Sequence, residues 1–187
     1  KSEQDLLRYI GQITADAHRE MMRVIKPGMN EREMENCFLN YLRKNNYTRF
    51  FAYASIAASG RECATLHYML NNRYMNDGEL FLSDQGIKML GYDSDITTTF
   101  PVNGKFTPEQ KKIYDIALAS NLAVKENAIA GKVTKKELDN ISKKTILKGL
   151  KEIGILTENA DIDDLFNKGM ARIFMPHSFG HYLGIDT

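Results

Sequence analysis

The stretch from Leu80 to Phe100 constrains this chain more than any other. It reads as a β-hairpin. Leu80-Phe81-Leu82 leads into Ser83-Asp84-Gln85-Gly86, a turn region follows, and the β-branched run Ile96-Thr97-Thr98-Thr99 leaves after Asp95. A turn near Met89 and Leu90 places Asp84 opposite Asp95. Opposite residues in an antiparallel pair share a face, with Cβ atoms roughly 4.5–5.5 Å apart. Two carboxylates at that distance repel unless a proton or a cation lies between them. The pair therefore reads either as a metal site or as two turn carboxylates, each solvated at a strand end.

The rest of the chain is long enough for one domain with a sizeable core at 187 residues. Lys and Arg total 25 against 24 Asp and Glu, so a nucleic-acid partner that needs many neutralised phosphates is not expected. No apolar run approaches the roughly 20 residues that span a bilayer, so no membrane partner is expected. No charged-then-apolar leader marks secretion. The chain opens Lys1-Ser2 without an initiator Met, which points to an upstream part. Cys37 and Cys63 stand singly, which suits the reducing cytoplasm better than a disulfide scaffold. Both read as buried free thiols, since neither has an activating neighbour in sequence.

Taken in order, Ser2 reads as an N-cap and Leu6 to Val24 as a helix, with Ile10, Ile13, Ala17 and Met21 at helical spacing. His18 falls within it and reads as a surface or half-buried residue. Lys26-Pro27-Gly28 breaks the helix, and Asn30 with Glu33 forms a capping box for a second helix to about Lys44. Phe50 to Ile56 reads as a strand, Ala58-Ser59-Gly60 as a turn, and Ala64 to Tyr68 as a short strand carrying His67. After the hairpin, Thr107-Pro108-Glu109-Gln110 starts a helix with Ile113, Ile116, Leu118 and Leu122 on its apolar face. Thr134 and Glu137 start another, to about Ile153. Asp161 to Asn167 reads as a short helix and Arg172 to Met175 as a strand.

The two halves echo one another. Asn30…Glu33 corresponds to Thr134…Glu137, and each half reads as helix, breaker, capped helix and then strands. The echo reads as two related αα-plus-strand halves whose strands form one sheet. The alternative is coincidence, since capping boxes are common.

Three of the four histidines, His67, His177 and His181, fall in strand or loop contexts, where sites collect. Neutral imidazole is the commonest transition-metal ligand. Four segments carry a family pattern: Ser83-Asp84-Gln85-Gly86, Gly91-Tyr92-Asp93-Ser94-Asp95-Ile96-Thr97, Phe100-Pro101-Val102-Asn103-Gly104-Lys105-Phe106-Thr107, and Phe174-Met175-Pro176-His177-Ser178-Phe179-Gly180-His181-Tyr182-Leu183-Gly184-Ile185-Asp186. Together they resemble the proline-specific metallopeptidases, the prolidases (Xaa-Pro dipeptidases) and aminopeptidase P. The resemblance runs from Lys1 to Thr187.

This resemblance implies an α+β pita-bread fold, shared with methionine aminopeptidase and creatinase, with pseudo-two-fold αα-plus-strand halves. It implies that residues 1–187 form an incomplete catalytic domain, without the family's N-terminal domain and C-terminal end. By position, Asp84 is implied as a ligand of one metal ion, Asp95 as the carboxylate bridging two ions, and His181 as the imidazole ligand of the other. His67 and His177 are implied as active-site histidines near the substrate. The implied cofactor is two divalent ions, Mn²⁺ first, with Co²⁺ or Zn²⁺ also suited to carboxylate and imidazole donors.

The implied reaction is hydrolysis of an Xaa-Pro bond in a di- or oligopeptide by a cytoplasmic, homodimeric prolidase-like enzyme. The rivals are aminopeptidase P activity and a non-catalytic pita-bread binding module. The family's two glutamate ligands come after the His181 segment, and no glutamate here occupies those places. A chain with three of five ligands is expected to bind metal weakly and to be inactive alone. Other departures are Arg61-Glu62 where relatives have Glu-Asn, Gln85 for a small or apolar residue, and Ser178 for a glycine.

Overall fold

A computed structural model describes residues 1–48 and 50–187. They form two compact units: Lys1–Phe106 with Tyr182–Thr187, and Thr107–His181.

The first unit packs two helices on a sheet. Helix α1 spans Ser2–Val24 and buries Ile10, Ile13, Thr14, Ala17, His18 and Met21, a stripe at the 3.6-residue period. Its cap position falls at Lys1, with no side-chain cap, so Ser2 is the first helical residue rather than the N-cap. Helix α2, Glu31–Lys44, starts with the full capping box expected from Asn30 and Glu33 and buries Met34, Phe38 and Leu42. Strand β1 is Ile56–Ser59 and β2 is Leu80–Gln85. The short strands β3 (Lys88–Met89) and β4 (Tyr92–Asp93) precede β5, Ile96–Pro101. The main sheet has the order β1-β2-β5 and is antiparallel throughout.

Period-two alternation gives this sheet two different faces. Phe81, Ser83 and Gln85 of β2 are fully buried. Phe81 joins Phe38, Met21 and Ile10 in the main core. The opposite face carries a smaller cluster of Ile56, Ala58 and Tyr68, with Cys63 and Leu82 packed against it. Both cysteines are free thiols and only partly buried.

The hairpin turns one residue later than the sequence spacing suggested. Leu90 and Gly91 both take left-handed backbone, at φ 54° and 81°. This is the signature of the two-residue turn that matches strand twist. Asp84 therefore stands opposite Thr97, not Asp95. Moving the turn by one residue slides the register by two, and a two-residue slide keeps every side chain on its face. Asp84 and Asp95 remain on one face as diagonal neighbours.

Between the sheet and the β3–β4 tip the ladder is interrupted at Gly86. A Cβ built there would lie 1.8 Å from the Ser94 carbonyl oxygen and 2.9 Å from Tyr53 Cε1. The close approach is fixed by Ser94 N–H on the Ile87 carbonyl at 3.0 Å and Ala52 N–H on the Gly86 carbonyl at 3.1 Å. Only glycine fits.

Other expectations shift for local reasons. Residues Phe50 to Ser55 form no strand; Phe51 makes one bridge to Ile87, and the strand begins at Ile56 and includes Ala58 and Ser59. The chain then enters a 3₁₀ turn, Gly60–Ala64, so His67 lies on a turn at φ 52° instead of in a strand. His18 is 1% exposed, not a surface residue.

In the second unit, α3 (Pro108–Asn127) and α4 (Lys135–Glu152) both begin with the capping boxes read from the sequence. Ser120 and Ser142 hydroxyls meet at 2.8 Å between these helices. Ile113, Leu118 and Leu122 of the expected α3 apolar face are exposed. Helix α5 is Ile162–Asn167, capped by Asp161. Arg172 to Met175 was expected as a strand, but Ala171–Phe174 is a helical turn, α6. Gly169, at φ 77°, ends α5 and lets the chain re-enter helical backbone. A short apolar run does not by itself distinguish the two states. Among the described residues every strand lies between residues 56 and 101, so strands from both halves in one sheet are not found there. Among the described residues no helix is long and apolar enough to cross a membrane.

The Gly86 contact gives a direct test. Replacing Gly86 with Ala drives a methyl group into the backbone of Ser94. We expect a loss of about 3 kcal/mol or more, seen as a fall in melting temperature of roughly 6–12 °C at this chain length. An unchanged melting temperature contradicts the close approach.

Candidate metal centre

Asp84 is next to last in β2, and Asp95 immediately precedes β5. Tyr53, in the irregular segment before β1, brings them together. Its hydroxyl oxygen lies 2.6 Å from Asp84 Oδ1 and 2.8 Å from Asp95 Oδ1. The ring passes beside Gly86, where any larger residue would displace it. A phenol carries one proton and can satisfy only one of these contacts. Two carboxylate oxygens thus meet on one hydroxyl that can donate to only one of them at a time.

The electrostatics agree. Burial pushes the Asp84 carboxyl above its ordinary range, and the nearby Asp95 charge adds to this. Hydrogen bonds from Tyr53 and Thr97, and the charge of His67, act in the opposite direction. Burial, and then the two carboxylates, push the Tyr53 phenol far above its usual value, so it stays a donor. Two hard carboxylate donors converging on one point suit a divalent cation, which would turn their mutual repulsion into attraction to a shared charge. The residues present fit such an ion.

The loop that carries His67 is anchored by a second buried acid. Glu31 is 0% exposed. Its Oε1 accepts from Ser59 N and Ser59 Oγ, both at 2.7 Å. Its Oε2 accepts from the Tyr68 hydroxyl at 2.8 Å and from Arg73 N at 2.9 Å. Asn71, at φ 47°, caps the outer edge of β1. Its Oδ1 accepts from Ala57 N and its Nδ2 donates to the Ser55 carbonyl, both at 2.9 Å. Arg73 pairs with Glu79 and, as the main cause, holds that carboxyl down at about 2. His67 itself is exposed, at the left-handed apex of an otherwise fixed loop.

The structure thus unites Asp84 with Asp95 and puts His67 near enough to act on Asp84. His177 and His181 belong to the second unit, in the exposed segment after α6. There His177 Nδ1 lies 2.8 Å from the Ser178 carbonyl. His181 is joined by its peptide bond to Tyr182, the first residue of the tail counted with the first unit. In that unit the Gly184 carbonyl accepts from Asp93 N at 2.7 Å. Among the described residues no three His, Cys, Asp or Glu side chains form one metal-holding group.

Sequence reasoning missed Tyr53, Thr97 and Glu31. Tyr53 was submerged in an aromatic run. The usable signal was its hydroxyl, which needs a partner once the ring is buried.

The sequence matches metallopeptidase family M24 over residues 5–187. It is 37% identical to the Xaa-Pro dipeptidase of Rattus norvegicus over 189 residues, covering 99% of this chain and 38% of that protein. It is 38% identical to the Xaa-Pro aminopeptidase of Haemophilus influenzae over 183 residues, 97% of this chain and 41% of the relative. A zinc-substituted Escherichia coli aminopeptidase P in complex with product superimposes with a TM-score of 0.92 at 38% identity, over 98% of this chain and 41% of that one. The fold is the pita-bread fold expected, and the chain spans about two fifths of the length of these relatives.

The raised Asp84 carboxyl makes a prediction for the metal-free chain. Its folded value lies above the unfolded one, so proton binding favours the folded state. The contribution of this group to stability is greatest below the unfolded value of about 3.9, and is lost as pH rises through the raised folded value. Asp84→Asn removes that loss. The metal-free variant should melt above the parent at pH 7, and the difference should close below about pH 4. Calorimetry across this range checks it; equal melting at pH 7 contradicts it.

Proposed function

The chain belongs to metallopeptidase family M24, and on that premise we propose that it is part of the catalytic domain of a divalent-metal-dependent peptidase that cuts the bond before proline. The observation that carries this reading is the Asp84–Asp95 pair meeting on the Tyr53 hydroxyl. Prolidase-like action on an Xaa-Pro dipeptide is the form proposed. Release of the N-terminal residue from longer Xaa-Pro peptides is the second form, favoured by the likeness to aminopeptidase P.

Asp84, Asp95 and His181 would hold two ions, with Mn²⁺ the first choice for such donors. When bound, the ions supply Lewis-acid polarisation of the scissile carbonyl and an acidified attacking water. The chain's own residues then do the rest. Tyr53 keeps the two carboxylates converged and donates its one proton between them. Thr97, opposite Asp84, fixes the orientation of that carboxylate. His67 and His177 are proposed to face the substrate and to steady its carbonyl as charge develops on it. The loop anchored by Glu31 restricts where His67 can go. The activity belongs to a protein of the relatives' length, which also supplies the remaining ligands. A homodimer in the cytoplasm is the proposed setting, consistent with two free thiols.

The test is proline release from an Xaa-Pro dipeptide and from a longer Xaa-Pro peptide by the full-length protein with added Mn²⁺, Co²⁺ or Zn²⁺. Asp84→Asn and Asp95→Asn should each lower kcat/KM by about a thousandfold, roughly 4 kcal/mol of barrier. Preference for the dipeptide supports the prolidase form. Absence of turnover with all three metals overturns the peptidase reading.

A further inference from the structure

The mechanism above makes no use of the two buried polar residues of α1. Four of the six buried side chains of that helix are packing groups: Ile10, Ile13, Ala17 and Met21. The other two, Thr14 and His18, lie one turn apart on the same face, at 0% and 1% exposure. A hydroxyl and an imidazole under a sheet cost free energy unless they are hydrogen-bonded. Their partners are specific. Thr14 Oγ1 lies 2.6 Å from Ser94 Oγ, and Ser94 is the residue before Asp95. His18 Nε2 lies 3.2 Å from the carbonyl of Gln85, the residue after Asp84. His18 Nδ1 also lies 2.9 Å from Thr98 Oγ1 on β5, so one ring spans β2 and β5.

One donor order satisfies the shorter contacts, the Ser94 hydroxyl having the Ile87 carbonyl at 3.4 Å as its other acceptor. Ile87 N–H donates to Ser94 Oγ at 2.9 Å, the Ser94 hydroxyl donates to Thr14 Oγ1, and the Thr14 hydroxyl donates to the Ile10 carbonyl at 2.8 Å. The Gln85 carbonyl requires Nε2 of His18 to carry a proton, which leaves Nδ1 to accept from the Thr98 hydroxyl. The two grips lie on either side of the interruption at Gly86: His18 holds ladder residues Gln85 and Thr98, and Thr14 holds Ser94 beyond the ladder. Backbone pairing brackets Asp95, through Gln85 with Ile96 on one side and Ser94 N–H on the Ile87 carbonyl at 3.0 Å on the other, and the two side chains of α1 add a hold from beneath. Alternation along the strands puts the carboxylates on the face opposite α1.

We propose that Thr14 and His18 are positioning residues that set the Asp84–Asp95 separation from beneath the sheet, each holding the chain neighbour of one carboxylate. The helix touches neither carboxylate. It acts on them through Ser94 and Gln85, as groups behind metal ligands commonly do. The inference rests on the metal reading for its use, although the positioning is a property of the metal-free chain.

The test uses the 187-residue chain with two readouts. One is the affinity for Mn²⁺ alone, from loss of the free-ion electron-spin signal. The other, without metal, is the low-field proton resonance of the Tyr53 hydroxyl, which reports the carboxylate contacts. Thr14→Val keeps the shape and removes the hydroxyl, while Thr14→Ser restores it. His18→Phe keeps a ring and removes both nitrogens. Ile13→Val trims the same helix face without touching either grip. Thr14→Val and His18→Phe should weaken Mn²⁺ binding about tenfold or more and shift the Tyr53 resonance. Thr14→Ser and Ile13→Val should match the parent within about twofold on the same scale.

Parent-like affinity and resonance in a folded Thr14→Val chain overturn the proposal even if His18→Phe fails to fold. A shift as large in Ile13→Val as in Thr14→Val also overturns it, since the effect would then be general packing. If the parent chain binds no Mn²⁺, the metal reading fails for this chain, and the Tyr53 resonance still decides the positioning.

Discussion

The first unit is built around a repulsion. Two carboxylate oxygens that lie 2.6 and 2.8 Å from one phenol oxygen are held within about 5 Å of each other, where two unit charges oppose one another by roughly 3 kcal/mol at an effective dielectric near 20. The net stability of a whole domain is only about 5–15 kcal/mol. A chain that retains this juxtaposition must offset it elsewhere, and the offsets are visible. Tyr53 supplies one proton at the meeting point. The core of Phe38, Phe81, Met21 and Ile10 holds the helices to the sheet. Gly86 removes the one side chain that would force the strands apart. Stability is given up at the place where charge is wanted, and recovered on the other face.

The division between faces follows from the pleat. Alternate residues of β2 go to the helices and to the site, so one strand serves both purposes without compromise. The same period explains why a wrong register still led to the right face. A turn centred one residue later moves the partner of Asp84 from Asp95 to Thr97, two places along, and parity is preserved. Had the loop gained or lost a single residue, Asp95 would face the core and the pair would not exist.

Much of the fold was legible where local chemistry decides it. The capping boxes at Asn30, Thr107 and Thr134 fixed three helix starts. The aspartate pair was legible because strand period and turn chemistry are short-range. What failed depends on distant partners. His18 looked like an ordinary helical residue because nothing near it in sequence announces the Gln85 carbonyl or Thr98. Arg172 to Met175 looked like a strand because a four-residue apolar run fits either state until a preceding glycine resets the backbone. Tyr53 and Glu31 were missed for one reason: a polar group's role is set by what it meets across the fold, at separations of 31 and 42 residues for Tyr53 and 28 to 42 for Glu31.

Two kinds of acid in one unit make the argument for metal sharper than burial alone. Glu31 is entirely enclosed, yet four donors point at its two oxygens and it needs nothing further. It reads as structure: it ties β1 to the loop that bears His67. Asp84 and Asp95 are less enclosed, but at their meeting point they have a single phenol proton between them. Burial was therefore the wrong discriminator between a structural and a functional carboxylate here. What separates them is convergence: Glu31 receives a separate donor group at each contact, whereas one oxygen of Asp84 and one of Asp95 meet on a single phenol hydroxyl, where a divalent ion could engage both.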